Sequence, residues 1–293
     1  MINSSERSSD TSALPVLKRV FPFRLGTTSY ILPAAIQHNI RFLGPCLDEV
    51  ELVLFESGGE DNLPSTGEIQ EMVRVAHELD FSYNVHLPTD LFFGDPDPLV
   101  RKQACLTALR FYRRTLPLEP TTYVLHLDRR GTDGRGIQDR ESLLNWLSES
   151  LETLVEHGMD PSLAAVENLD YPLEWIGPMV EAMGMTFCLD IGHILIYGFD
   201  LEKYFENYLD KTTMIHLHGI LDGKDHRGLE GISKEDWEVI LRALHDFKGG
   251  VSLEVFSLED LRSSMQGMQE FASRSRLKRA APYQEKIPHP ISL

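Results

Sequence analysis

Eight short runs of strand-forming residues, with segments of helical period between them, constrain this chain more than any other feature. The runs are Arg24 to Ser29, Glu49 to Phe55, Phe81 to His86, Thr122 to His126, Leu163 to Glu167, Met185 to Asp190, Met214 to His218 and Val251 to Val255. Strands separated by helices pair in parallel, because each helix carries the chain back across the sheet. Three of the intervening stripes are Ile69, Met72, Val73, Ala76 and Leu79; Leu143, Leu144, Leu147, Leu151, Leu154 and Val155; and Trp175, Ile176, Met179, Val180 and Met183. Each lies on one face of a helix and reads as core packing. Ser65 with Glu68, Ser233 with Asp236 and Ser257 with Asp260 supply helix starts. Gly158 and Gly184 supply stops.

Eight such units in 293 residues predict an α/β fold, a (β/α)8 barrel of the TIM type. A doubly wound open sheet is the alternative, weakened because no glycine-rich phosphate loop opens any helix. One domain is expected over residues 21–272. A polar N-terminal tail (1–20) and a basic, proline-containing C-terminal tail (273–293) flank it.

Charge and cysteine usage exclude several function classes. Lys and Arg number 28 against 45 Asp and Glu, a formal net charge of -17. Nucleic-acid affinity rests on phosphate neutralisation, so no nucleic-acid partner is expected. Cys46, Cys105 and Cys188 have no paired spacing, so neither a disulfide framework nor a cysteine zinc site is expected, and a reduced cytoplasmic setting fits. No run is apolar for long enough to span a bilayer, and the first twenty residues lack the apolar stretch of a secretory signal.

In a barrel of this type the chemistry sits where the strands end. Strand two ends at Glu56, strand three at His86, strand four at His126, strand five at Glu167-Asn168, and strand six at Asp190 followed by Ile191-Gly192-His193. Strand seven carries His216 and His218 on one side, the next loop holds Asp222, Asp225 and His226, and strand eight contains Glu254. Six of the 11 histidines thus collect at one mouth, while His38, His77, His157 and His245 fall in expected helices and His289 in the tail. Imidazoles and carboxylates crowded together need a compensating charge, and a divalent metal (zinc, iron or manganese) supplies it.

The order His, His, Glu, Asp-x-x-His, His, Asp-His, Glu at successive strand ends resembles the xylose-isomerase-like barrel superfamily, over roughly Leu25 to Phe256. The fuller ligand set is similar to endonuclease IV. That resemblance implies two or three metal ions held by His86, His126, Glu167, Asp190, His193, His216, His226 and Glu254. Asp225 and His226 stand adjacent where that family has Asp-x-His, so the remaining ligand is either Asp225 or absent, and His218 has no counterpart. The stretches Leu25 to Ile31, Glu51 to Glu56, Leu189 to His193, Tyr197 to Asp200, Ile215 to Gly219 and Asp222 to Arg227 resemble the cobamide-remodelling phosphodiesterases more closely. This second resemblance implies a small-molecule corrinoid substrate, whose nucleotide loop is hydrolysed to α-ribazole and cobinamide phosphate.

Phosphodiester hydrolysis needs activated water and neutralised phosphoryl charge, which divalent metals provide. Glu167 and Glu254, each with two carboxylate oxygens, are the candidate bridging and catalytic groups, and Glu167 also suits positioning of the nucleophile. Arg129, Arg130, Lys224 and Arg227 follow strands four and seven and are candidates for holding phosphate. Tyr30, Phe92, Phe93 and Tyr197 are candidates for an apolar wall against the corrin or base. A sugar isomerase or epimerase on the same barrel would need only Glu167, Asp190, His216 and Glu254 around one metal, leaving the other histidines surplus. A non-catalytic corrinoid- or metal-binding protein is the third alternative. The oligomeric state is left open.

Overall fold

The computed structural model describes residues 14–54, 63–131, 134, 136 and 139–280, with residues 274–280 described by backbone alone. Eight parallel strands close on themselves: β1 (Arg24–Thr28), β2 (Glu49–Val53), β3 (Ser82–His86), β4 (Tyr123–Leu125), β5 (Ala164–Glu167), β6 (Thr186–Asp190), β7 (Thr212–Leu217) and β10 (Gly250–Leu253). They pair in chain order around the ring, and β10 closes it against β1 with Gly26 opposite Ser252. The expected barrel is therefore the observed fold. Phe55 and Glu56, expected to end the second strand, lie outside the described residues.

The helices are α1 (Ile36–Leu43), α2 (Thr66–Leu79), α3 (Pro98–Thr115), α4 (Arg140–Glu156), α5 (Gly177–Ala182), α6 (Ile191–Ile196), α7 (Leu201–Tyr208), α8 (Lys234–Leu244) and α9 (Leu258–Ala280). The expected caps form. Ser65 accepts from the Glu68 amide while the Glu68 side chain accepts from the Ser65 amide, and Ser233 accepts from the Asp236 amide. Among the described residues no helix is long and apolar enough to cross a membrane.

Two apolar cores result. The larger lies between strands and helices. The smaller, inside the barrel, consists of Val124, Ala165, Cys188 and Met214 on four neighbouring strands. Much of the remaining interior is polar, unlike the branched aliphatic layers usual in such barrels. Glu49 and Glu51 alternate with Val50 and Leu52 along β2, and all four are buried. Strand alternation sends the carboxylates inward. There Glu49 accepts from Arg24, Ser82, Asn84 and Thr121.

Residues on both sides of the expected domain boundaries are described. Leu14 and Leu17 are buried in the larger core, and Lys18 Nζ donates to the carbonyls of Gly44 (2.7 Å) and Leu79 (2.5 Å), just past α1 and at the end of α2. A cation at helix C-termini satisfies carbonyls that the helices leave open. At the other end, α9 runs to Ala280, past the boundary expected at residue 273.

Between β7 and α8 stands a hairpin that the strand count did not anticipate, β8 (Gly219–Leu221) with β9 (Lys224–Arg227). Its turn residues Asp222 and Gly223 have φ of 53° and 71°. Two left-handed residues match the twist of a two-residue hairpin, and an Asp-Gly pair is its usual signal.

Candidate metal centre

The strand ends converge as the sequence predicts. His86 and His126 each bring Nε2 to Glu167 Oε2, at 3.1 and 3.0 Å. His193 Nδ1 lies 3.2 Å from the other oxygen, Oε1, and His216 Nδ1 lies 3.5 Å from Oε2. His216 Nδ1 also faces Glu254 Oε2 at 3.0 Å, and His226 Nε2 approaches the same oxygen at 3.6 Å. Donor atoms of Glu167, Asp190, His216 and Glu254 all lie within 4.8 Å of one another. So do those of His86, Glu167 and His216, and those of His193, Asp225 and His226.

Surrounding groups settle which ring nitrogen faces the centre. His86 Nδ1 lies 2.8 Å from the Leu87 carbonyl; a carbonyl only accepts, so Nδ1 carries a proton and Nε2 points inward. His216 Nε2 donates to Glu51 at 2.9 Å, which turns Nδ1 inward, and Ser252 donates to the second Glu51 oxygen at 2.5 Å. Histidine ligands to metals are commonly oriented in this way through their other nitrogen. Asn168 fixes the next candidate ligand: its amide donates to the Asp190 carbonyl and its oxygen accepts from the Asp190 amide, at 3.1 and 2.8 Å. Asp190 itself caps α6 by accepting from the His193 amide. Glu51 is a site residue that the sequence reading missed. Its signal was the Glu-Val-Glu alternation within an otherwise apolar strand.

Asp225 and His226, adjacent in β9, both reach the centre. In a regular strand neighbours point to opposite faces. His226 instead has φ of 53°, a left-handed conformation that redirects the chain, and its Nδ1 lies 3.1 Å from Asp225 Oδ1. Asp225 thus stands beside His193 and His226, within reach of the candidate ligands.

The surrounding imidazoles hold the carboxylates of the centre ionised. Burial alone would favour neutral Glu167 and Glu254. His126 and His216 instead hold Glu167 well below the usual carboxyl range, and His216 with His226 does the same for Glu254. Burial opposes charge on His226 and His193 too, yet Glu254 carries His226 up to about 9, and Asp190 with Glu167 carries His193 up to about 11. Among the described residues, the buried atoms without a hydrogen-bond partner include His216 Nδ1 and Glu254 Oε2, which face each other. Buried polar atoms are seldom left bare, and a divalent cation accepting both lone pairs would satisfy them. The donor set, imidazole nitrogens with carboxylate oxygens, fits zinc, manganese or iron.

The expected substrate residues are divided. Lys224 and Arg227 line a cleft of about 510 Å³ together with Asp225, His226, Ile196 and Phe256. Arg227 also lies 3.6 Å from Asp260. Arg129 and Arg130 are engaged by Asp170 (3.1 Å) and Asp128 (2.8 Å). Tyr30 is half-buried beyond β1, and burial raises its hydroxyl pKa. Of the expected apolar wall, Phe93 is packed in the larger core, while Tyr197 is exposed and its ring lies 5.8 Å from that of His193.

Solved structures with this fold include a D-tagatose 3-epimerase-like protein, 17% identical, matched over 88% of this chain and 100% of that one at a TM-score of 0.71. The D-psicose 3-epimerase of Clostridium cellulolyticum H10, determined with D-tagatose, is 17% identical over 86% of this chain and 99% of that one, at 0.66. The IOLI protein, determined with a zinc atom, is 14% identical over 87% and 97%, at 0.63. At these identities the likeness is one of fold. Comparison with curated proteins finds no match. The family model for the xylose isomerase-like TIM barrel matches residues 47–273, a span that holds every candidate metal ligand named above, and the chain belongs to that family.

Proposed function

We propose that this protein is a metal-dependent phosphodiesterase acting on the nucleotide loop of a corrinoid, releasing α-ribazole and cobinamide phosphate. One carboxylate carries the reading. Glu167 has both oxygens approached by imidazoles, from the ends of β3, β4 and β7 and from the first turn of α6, which is more potential donors than one metal would require. His86, His126, Glu167, Asp190, His193, His216, Asp225, His226 and Glu254 would hold two or three divalent ions. Such ions activate water and neutralise charge on a phosphoryl group.

The chain's own residues do the rest. Glu51 and Leu87 hold the rings of His216 and His86 with the inward nitrogens bare. Glu167 and Glu254 keep negative charge at the centre and orient the water that attacks phosphorus. Lys224 and Arg227 place cations where the cleft meets His226, on the side from which a phosphate would approach. The corrinoid itself is supported by the resemblance of the strand-end stretches and by the acidic balance of the chain, which disfavours a long phosphate track.

The compact group of Glu167, Asp190, His216 and Glu254 favours a second reading, a one-metal sugar epimerase. Metal-loaded protein offered a cobamide, and separately a ketohexose, distinguishes them. Formation of α-ribazole supports the first reading. Ketohexose epimerisation with intact cobamide replaces it with the second.

A further inference from the structure

His218 sits beside the centre, fully buried, with no role in the ligand set above. By proximity it belongs to a group with Asp190, His226 and Glu254 whose donor atoms lie within 4.8 Å of one another, so it is a candidate ligand on distance alone. Its hydrogen bonds argue otherwise. The His226 amide donates to His218 Nδ1 at 2.9 Å, and a nitrogen that accepts carries no proton. His218 Nε2 lies 3.1 and 3.2 Å from the two Asp190 oxygens, and an ionised carboxylate only accepts. The proton therefore resides on Nε2.

The other tautomer would donate from Nδ1 to the Gly219 carbonyl at 3.3 Å. It would leave the His226 amide without this partner and set the Nε2 lone pair against a carboxylate. With Nδ1 accepting and Nε2 donating, neither nitrogen has a lone pair free for a metal.

The surroundings hold the ring in that pose. It stacks on His226 with centroids 4.4 Å apart and planes 18° apart. It also rests on the turn between Asp190 and His193: a Cβ at Gly192 would lie 1.9 Å from His218 Cε1. One side chain thus touches both the β6 end and the β8–β9 hairpin, which carry ligands from different parts of the chain.

We propose that His218 is a positioning residue and not a metal ligand: its Nδ1 accepts from the His226 amide and its Nε2 donates to Asp190, which ties Asp190 to the β8–β9 hairpin so that Asp190, Asp225 and His226 enter the centre in a fixed relation. The inference rests on the metal centre proposed above, but not on its substrate.

Two measurements test it. In ¹⁵N-histidine-labelled protein with His218 assigned through its backbone, the ring is expected to show a protonated Nε2 and a bare Nδ1. This should hold both without metal and after loading with ¹¹³Cd. Cadmium coupling is expected on His216 and His226 and absent from His218. Coupling on His218, or a proton on Nδ1 in place of Nε2 in either state, overturns the proposal. Cadmium coupling on none of the histidines would remove the metal centre itself, and with it the positioning role.

The second measurement is a metal titration of His218→Leu and His218→Asn. Leucine removes both bonds, whereas asparagine keeps an acceptor near the place of Nδ1. Outer-shell partners commonly contribute about 10–100-fold to metal affinity. A loss of that size is expected for leucine, with partial recovery in asparagine and an unchanged number of ions at saturation. One ion fewer at saturation, or affinity equal to the parent in both variants, overturns it.

Discussion

Glu51 and His216 meet inside the barrel, where the Nε2–H of His216 donates to the Glu51 carboxylate at 2.9 Å and turns Nδ1 toward Glu254. The two residues stand 165 positions apart in the chain. Glu51→Ala leaves the buried Nε2–H unpaired and frees the ring to rotate. Metal affinity is expected to fall about 10–100-fold, the usual scale for an outer-shell partner. Isothermal titration with zinc checks this, and affinity within about twofold of the parent would separate Glu51 from the site.

Glu167→Gln keeps the shape of the side chain and removes the charge that four imidazoles approach. Turnover should drop at least about a hundredfold, the scale of one lost transition-state interaction. The circular dichroism spectrum should be preserved. Near-normal turnover in folded variant protein would show that the β5 carboxylate is not catalytic.

Gly192→Ala places a methyl group 1.9 Å from the His218 ring. The first turn of α6 gains up to about 1 kcal/mol of helix propensity from alanine. Overpacking an interior costs about 1–3 kcal/mol, and the ring is buried and stacked on His226, so the clash should win. The expected result is a lower denaturation midpoint together with weaker metal binding. A stabilised variant would mean that His218 moves freely.

The metal-free protein should lose stability between pH 6.5 and 9. Burial opposes charge on His226, but Glu254, Asp190 and Asp225 raise its pKa to about 9 in the fold, against about 6.5 for an unfolded histidine. A group whose folded value is raised contributes in full below its unfolded value and ceases to contribute as pH passes the folded one. His193, raised to about 11, acts in the same direction at higher pH. Urea midpoints measured in chelator at pH 6 and pH 9.5 test the sign, and an equal or higher midpoint at pH 9.5 contradicts it.

Leu17→Ala tests whether the stretch before β1 belongs to the domain. The side chain is buried among the larger core, and such truncations cost about 2–5 kcal/mol. A melting temperature unchanged by the substitution would return this stretch to the tail that its composition suggested.

The barrel and most of the candidate ligands were legible because their signals are local. Strand ends follow from where a β-forming run stops, and in a parallel barrel all those ends share one mouth. His86, His126, Glu167, Asp190 and Glu254 could therefore be named from position alone. The packed stretch at Leu14 and Leu17 was not legible, because polar neighbours hid two apolar anchors whose partners lie elsewhere in the chain. Nor were the pairings of Arg129 with Asp170 and Arg130 with Asp128, since the loops that bring them together carry no period.

Residue order along the chain specifies the alternation of strands and helices, the caps at Ser65 and Ser233, and the collection of imidazoles and carboxylates at one end of the barrel. It is silent on which nitrogen of His216 or His218 carries the proton, because a tautomer is selected by the hydrogen-bonding partners of the ring, and Glu51 and the His226 amide arrive only with closure of the barrel and folding of the hairpin. It is equally silent on Asp225. Adjacent residues share a face only where the backbone leaves the regular strand, and the left-handed turn at His226 that achieves this is held by a contact to His218 across the hairpin.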